Sequence, residues 1–308
     1  MLSLHRLRML SELHRLGTVA DVARVLSYTP SAVSQQLALL QKEAGVPLTE
    51  KVGRRLRLTD AGLDLVGHAD AILARLAEAE SELAGHRPDV SGTLRISSFQ
   101  TPLLSILPHA VAALEAAHPH LHLLLTQREL PQAHEALLAR EDDLILGEEF
   151  PGVLEPLVPG LDREPLLPDP LLLVTPTSGT WSRATRLADL ADAPWILEPA
   201  SSATGSWQRS ALRSAGVEPD VRVASPDPLI QAHFVRIGHG VAIIPALIAG
   251  QHLSGLRLLR MPGRPQRQIF TSVRRGRAHH PAVIAVRTAL AEAARVAPVG
   301  TIAGEIHP

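Results

Sequence analysis

The 308-residue chain has no cysteine. That excludes a disulfide framework, a thiolate metal site and a cysteine-based redox sensor. Aromatic residues make up 3% of it, and only two of its 30 basic residues, Lys42 and Lys51, are lysine. No functional reading attaches to the lysine shortage. No apolar run approaches the roughly 18 residues of a membrane span. The opening MLSLHRLRML is too short and too charged for a signal peptide, so the expected location is cytoplasmic, with no membrane partner. Also missing are HExxH, GxSxG, GxxxxGKS/T and a strand followed by GxGxxG. The expectation is a chain that is not an enzyme and takes no cofactor. His118, His120 and His122 alternate as ligands on one strand face would, but Pro119 interrupts them and no metal site is expected.

What is present is concentrated at the start. Residues 1–60 hold nine Lys and Arg against five Asp and Glu, a balance of +4, while the remainder balances at −5 within a net charge of −1. A basic head on an acidic body suits contact with a polyanion at one end only. Within that head, TPSAVSQQLALLQKEAG (29–45) reads as a helix, with Thr29 as N-cap, Pro30 in the first turn and Gly45 as the stop. Val33, Leu37, Leu40 and Ala44 share one face of it. Ser31, Ser34, Gln35 and Ala38 share the opposite one, which is short, uncharged and able to donate and accept hydrogen bonds. Such a face approaches base edges in a major groove without an intervening charge. A first helix at about 19–26 precedes it, and the small Ala23 permits a close crossing. Two helices joined by so short a break predict a helix-turn-helix. Arg54, Arg55 and Arg57 follow around Gly53, between two short strands, as the basic tip of a wing suited to phosphates.

From Ala23 to Gly62 the order AxxLxxTPSAVSQQLxxLxxExGVPLxxxxGRRxRLTxAG resembles the signature of the LysR-type transcriptional regulators. The resemblance implies a winged helix-turn-helix at 1–59, a linker and dimerisation helix at 60–88, and an effector-binding domain at 89–308. It implies double-stranded DNA, a small-molecule effector and a second copy of the chain (homodimer or homotetramer) as partners. Ser34 and Gln35 match positions the family uses for readout. Pro30-Ser31 stands where many members have Gln-Pro, so one commonly used base-reading glutamine is absent. Thr49 stands where an aromatic or leucine is common.

In the linker, a heptad seam is set at Ala69, Leu76 and Leu83 and at Leu65, Ile72 and Ala79, predicting dimerisation through Leu65, Ile72, Leu76 and Leu83. From Thr93 onward, nine short apolar strands alternate with helices, as in mostly parallel sheets covered on both faces. Pro-rich crossings near 156–170 and 262–265 would divide the region into lobe I (about 92–163 and 269–296) and lobe II (about 164–268), with a tail from Ala297. This region resembles the effector domain of the same family, and the fold class that the resemblance implies is an N-terminal all-α winged helix-turn-helix with a long linker helix, followed by an α/β two-lobed body like the periplasmic binding proteins. In such bodies a ligand lies between lobes, at the carboxyl ends of strands. That selects Ser98, Gln100 and Thr101 after one strand; Glu148 and Glu149, suited to an amine, after a second; and Ser201, Ser202 and Thr204, suited to an anion, after a third. The implied effector is an amino acid or small organic acid. The alternative is a DNA-binding protein whose body has lost ligand binding or carries an enzymatic activity.

Overall fold

A computed structural model describes residues 1–52, 55–87, 89–153, 156–296 and 302–307. Three helices open the chain: α1 (Leu4–Leu16), α2 (Val19–Val25) and α3 (Pro30–Ala44). Thr18 and Thr29 cap the second and third, each accepting a backbone N–H three residues on. Ser27, at φ 58°, turns the chain between them, and Tyr28 N–H closes back on Ala23 O at 2.8 Å. Val33, Leu37 and Leu40 are fully buried with Leu10, Val22 and Ala23 in one small core. Strands β1 (Thr49–Val52) and β2 (Arg55–Leu58) pair antiparallel as the wing, with Thr49 opposite Leu58. Gln41 ties this wing to α3, because its Oε1 accepts from Leu48 N and Thr49 N, both at 2.9 Å.

Helix α4 (Asp60–Gly85) is the linker. Gly62 sits against the wing, where a Cβ would meet Leu48 O at 2.2 Å. Val66 and Ala69 complete the N-terminal core, and Leu65 packs on it. One face of the second half docks on the body: Ser81 Oγ lies 3.0 Å from Gly276 O, and a Cβ at Gly276 would meet Ala74 O at 2.4 Å. Ile72, Leu76 and Leu83 point outward, 43%, 42% and 70% exposed. The expected seam therefore starts at Ile72. Leu65 and Ala69 are taken up by the chain's own N-terminal core, because the first turns of α4 lie along α1. The break expected at 86–89 includes Pro88, which lies outside the described residues.

The body runs β3 (Gly92–Ser98), α5 (Gln100–Leu104), α6 (Ile106–Ala117), β4 (Leu121–Gln127), α7 (Leu130–Leu138), β5 (Leu144–Glu149) and β6 (Leu161–Pro176). It continues with β7 (Pro194–Leu197), α8 (Ala203–Ser214), β8 (Asp220–Ala224), α9 (Pro228–Arg236), β9 (Val241–Pro245), α10 (Ala249–His252), β10 (Leu256–Arg260), β11 (Gln266–Arg274) and α11 (Pro281–Val296). Lobe I orders its strands β4-β3-β5-β11-β6, and lobe II orders them β6-β9-β7-β8, with β10 on the other side of β6. The pairs of β3 with β4 and β5, and of β7 with β8 and β9, are parallel; every pair made with β6, and that of β11 with β5, is antiparallel.

Two expectations are corrected here. The Pro-rich stretch at 156–170 is not a loop from Leu161 on. It is the first half of β6, which pairs with β11 and then, from Leu171, with β9 in lobe II. In lobe I, β6 is an edge strand with one neighbour, where Pro165, Pro168 and Pro170 need donate no ladder hydrogen bond on the open side. The lobes therefore meet near 170 and 266, not near 164 and 269. The expected tail is also a strand. Gly304–Glu305 (β12) pairs parallel with β10, and Ile306 is fully buried in the lobe II core.

Candidate functional site

The DNA-facing candidates lie where the helical wheel puts them. Ser31, Ser34, Gln35 and Ala38 are exposed on α3, opposite its buried stripe. Ser31 Oγ is 3.0 Å from Thr29 Oγ1 at the helix start. Arg6 reaches across to Gln36 and Glu43 and so ties α1 to the flank of α3 without covering its outer face. Arg57 is exposed on β2. Arg54 lies outside the described residues, and of Arg55 only the backbone pairing with Val52 is described.

In the body, a narrow cleft with about 30 Å³ of free space lies between the lobes at the carboxyl ends of β3, β5 and β7. Gln100, Thr101 and Glu148 line it, as expected. Ser98, Glu149, Ser201, Ser202 and Thr204 do not. Ser98 is fully buried and donates to Phe99 O. Glu149, one residue beyond Glu148 on β5, points to the opposite face and pairs with Arg163 at 2.7 Å. Ser202 is the N-cap of α8, accepting from Gly205 N at 2.9 Å, and its Oγ lies 2.9 Å from Glu198 Oε2. The anion cradle expected there is thus closed by the chain's own cap and carboxylate.

Three residues that define the site were not expected: Arg267, Glu198 and Glu129. Arg267, on β11 at the meeting of the lobes, is 3% exposed. It donates from Nε and Nη2 to Asp169 Oδ2 (2.9 and 2.6 Å), from Nη1 to Glu148 Oε2 (2.6 Å) and from Nη2 to Thr101 Oγ1 (2.6 Å). Burial opposes its charge, but the two carboxylates outweigh burial and hold its pKa above the ordinary arginine value. Asp169 is fixed in turn by Leu247 N–H at 2.9 Å. Across the cleft, Gln100 Nε2 donates to Asp227 Oδ1 at 3.1 Å, linking lobe I to the N-cap of α9.

Glu198 ends β7. Burial, then the nearby Glu148, push its carboxyl up to about 7 from 4.5, with Glu129 adding to the rise while Ser202 and Arg267 oppose it. Burial likewise raises Glu148 and Glu129. The sign of the pH effect follows. A carboxyl raised in the folded state favours folding while protonated, and that contribution disappears as pH climbs from 4.5 through about 7. Glu198→Gln stays neutral throughout. The variant should therefore melt with the wild type near pH 4 and exceed it by about 2–3 kcal/mol in stability at pH 8. Thermal melts at the two pH values check this; equal differences at both would contradict it.

Among the described residues, no group of three or more His, Asp and Glu is placed to hold a metal ion, and no helix is long and apolar enough to cross a membrane.

A winged helix-turn-helix, a linker helix and a two-lobed α/β body with a polar cleft define the architecture of a ligand-responsive DNA-binding protein. Comparison with known proteins agrees. Residues 4–63 match the family described as bacterial regulatory helix-turn-helix protein, lysR family, and residues 87–295 match the LysR substrate binding domain. The chain belongs to the LysR family: it is a DNA-binding transcriptional regulator with an effector-binding domain. It is 29% identical over 281 residues to the HTH-type transcriptional regulator CbbR of Rhodospirillum rubrum, covering 90% of this chain and 91% of that one. A full-length OxyR variant from Pseudomonas aeruginosa shares its fold, at TM-score 0.67 and 18% identity, over 97% of each chain. Full-length CbnR, solved in a complex with its target DNA, superposes at TM-score 0.52 and 22% identity, over 94% of this chain and 100% of that one.

Proposed function

We propose that the protein binds promoter DNA as a homodimer or a homotetramer, and that a small molecule held between the lobes controls that binding. The observation that carries this reading is the outer face of α3, exposed and uncharged at Ser31, Ser34, Gln35 and Ala38 beside a basic wing. Gln35 and Ser34 read base edges there, Ser31 touches base or phosphate, and Arg54, Arg55 and Arg57 contact the backbone or the minor groove. The exposed stripe Ile72-Leu76-Leu83 joins two linker helices, so that two recognition helices address a two-fold site. The structure of CbnR on its target DNA supports this use of the fold. The body performs no chemistry on its effector, and the protein works in the cytoplasm with the DNA.

The test is a comparison of two variants on systematically varied promoter fragments. Gln35→Ala should lose about 1–3 kcal/mol on the preferred site and relax preference at one base pair. Arg57→Ala should weaken all sequences alike and flatten the salt slope by about one unit. If Gln35→Ala keeps the full preference while Arg57→Ala alters it, the roles of α3 and the wing are wrong.

A further inference from the structure

The cleft is crowded with carboxylates. Glu129 enters it from the start of α7, Glu148 from the end of β5 and Glu198 from the end of β7. Among the described residues that line it, Arg267 is the one cation. That cation is not available to a ligand's acid group, because Asp169 and Glu148 already share it, and Asp169 sits behind the wall. Nor do the lobe II helices offer their amino ends. Asp227 Oδ1 accepts from Leu229 N and Ile230 N at the start of α9, and Ser202 Oγ accepts from Gly205 N at the start of α8. The amides are also occupied: Gln208 Nε2 donates to Ile243 O and Gln231 Nε2 to Ser225 O. Among the described side chains that line this space, a carboxylate or phosphate meets three glutamates and one arginine that is already bonded. Phe99, Pro228, Ile243 and Pro245 supply the apolar part of the lining.

From this arrangement we infer that the effector of the cleft is a small aliphatic amine, an ammonium or guanidinium on a short alkyl chain, and not a simple organic acid. Its cationic head sits between Glu129 and Glu198, beside Glu148, whose charge Arg267 already shares, and its chain lies on the proline and isoleucine wall. The inference rests on the reading of the cleft as the effector site. The raised carboxyls agree with it. For Glu198, burial and then the nearby Glu148 push the carboxyl up to about 7, and a bound cation opposes that rise, so binding near neutral pH should release protons to solvent. Separate arms of the cluster make the cation site selective by position: Ser202 orients Glu198, and Arg267 orients Glu148.

The test uses the full-length protein, with putrescine and agmatine as cationic probes and succinate and benzoate as acid probes. Each amine should raise the melting temperature saturably, by at least about 2–4 °C, and the acids should not. Glu198→Gln and, separately, Glu129→Gln should weaken amine binding by about 10- to 100-fold, as expected for loss of a charged hydrogen-bond acceptor. Neither residue is bonded to the Arg267 guanidinium, so both variants should fold, and a melting transition for each confirms it. Stabilisation by the acids alone overturns the inference. So does an amine effect unchanged in both variants, or no effect of either amine on the wild type. Retention of a promoter fragment by the unliganded wild type is measured alongside. A protein that ignores amines but binds DNA defeats this inference alone, whereas one that binds amines but no DNA defeats the regulator reading.

Discussion

Replacing Arg267 by Met should lower the stability of the protein by about 3–5 kcal/mol, more than any single change on its surface. The loss does not measure the strength of an ion pair. It measures what remains: Asp169, with its side chain 2% exposed, and the largely buried Glu148, both left without their shared cation. The same guanidinium holds Thr101 of lobe I, so the base of the cleft should loosen as well. The explanation makes a second demand. Adding Asp169→Asn and Glu148→Gln to Arg267→Met removes the stranded charges and should recover much of the loss. Chemical denaturation of the single and triple variants measures both effects. A triple variant no more stable than Arg267→Met would show that packing, not stranded charge, carries the effect.

Leu76→Asp should leave the body folded and dissociate the proposed dimer. Ile72, Leu76 and Leu83 lie one or two turns apart on an exposed face of α4, although the neighbouring face packs tightly on the body at Gly276. A carboxylate on the outer face costs an isolated chain nothing. In a helix pair it would be buried without a partner, at a cost of several kcal/mol. Because two half-sites are then no longer read together, affinity for promoter DNA should fall at least about 100-fold. Sedimentation and DNA binding are measured on the same sample. A variant that still sediments as a dimer and binds normally would remove α4 as the interface.

How far the sequence could be read depended on whether the deciding interaction was local. Helix α3 was legible because its cap, its proline, its stop glycine and its two faces all lie within 17 residues. The short strands of both lobes were legible for the same reason, as apolar runs punctuated by turns. Strand β6 was not, because the tolerance of Pro165, Pro168 and Pro170 comes from its place at the edge of lobe I, a property of the sheet and not of the segment. The strand at Gly304–Glu305 was missed because two residues carry no periodicity; β10 supplies the pairing. Leu65 fits the heptad as well as Ile72 does, and only the position of α1 decides which of them is covered.

The site divides in the same way. Glu148 and Thr101 follow from the rule that ligands gather at the carboxyl ends of strands. That rule also pointed to Glu198, the first residue after β7, but the hydroxyls just beyond it drew attention to the helix start instead. Arg267 gave no local signal at all. It stands in PGRPQRQIF, a stretch that reads as a crossing loop. Its partners are 98, 119 and 166 residues away, brought to it by the return of β11 into lobe I.

The central claim is that this chain recognises DNA through α3 as a paired unit. Footprinting of the full-length protein on the DNA upstream of its own gene tests that claim most directly. The account predicts two protected half-sites of related sequence, their centres about one helical turn apart or a multiple of it, with protection lost as salt rises. Uniform protection without a preferred site, or none at low salt, would contradict it.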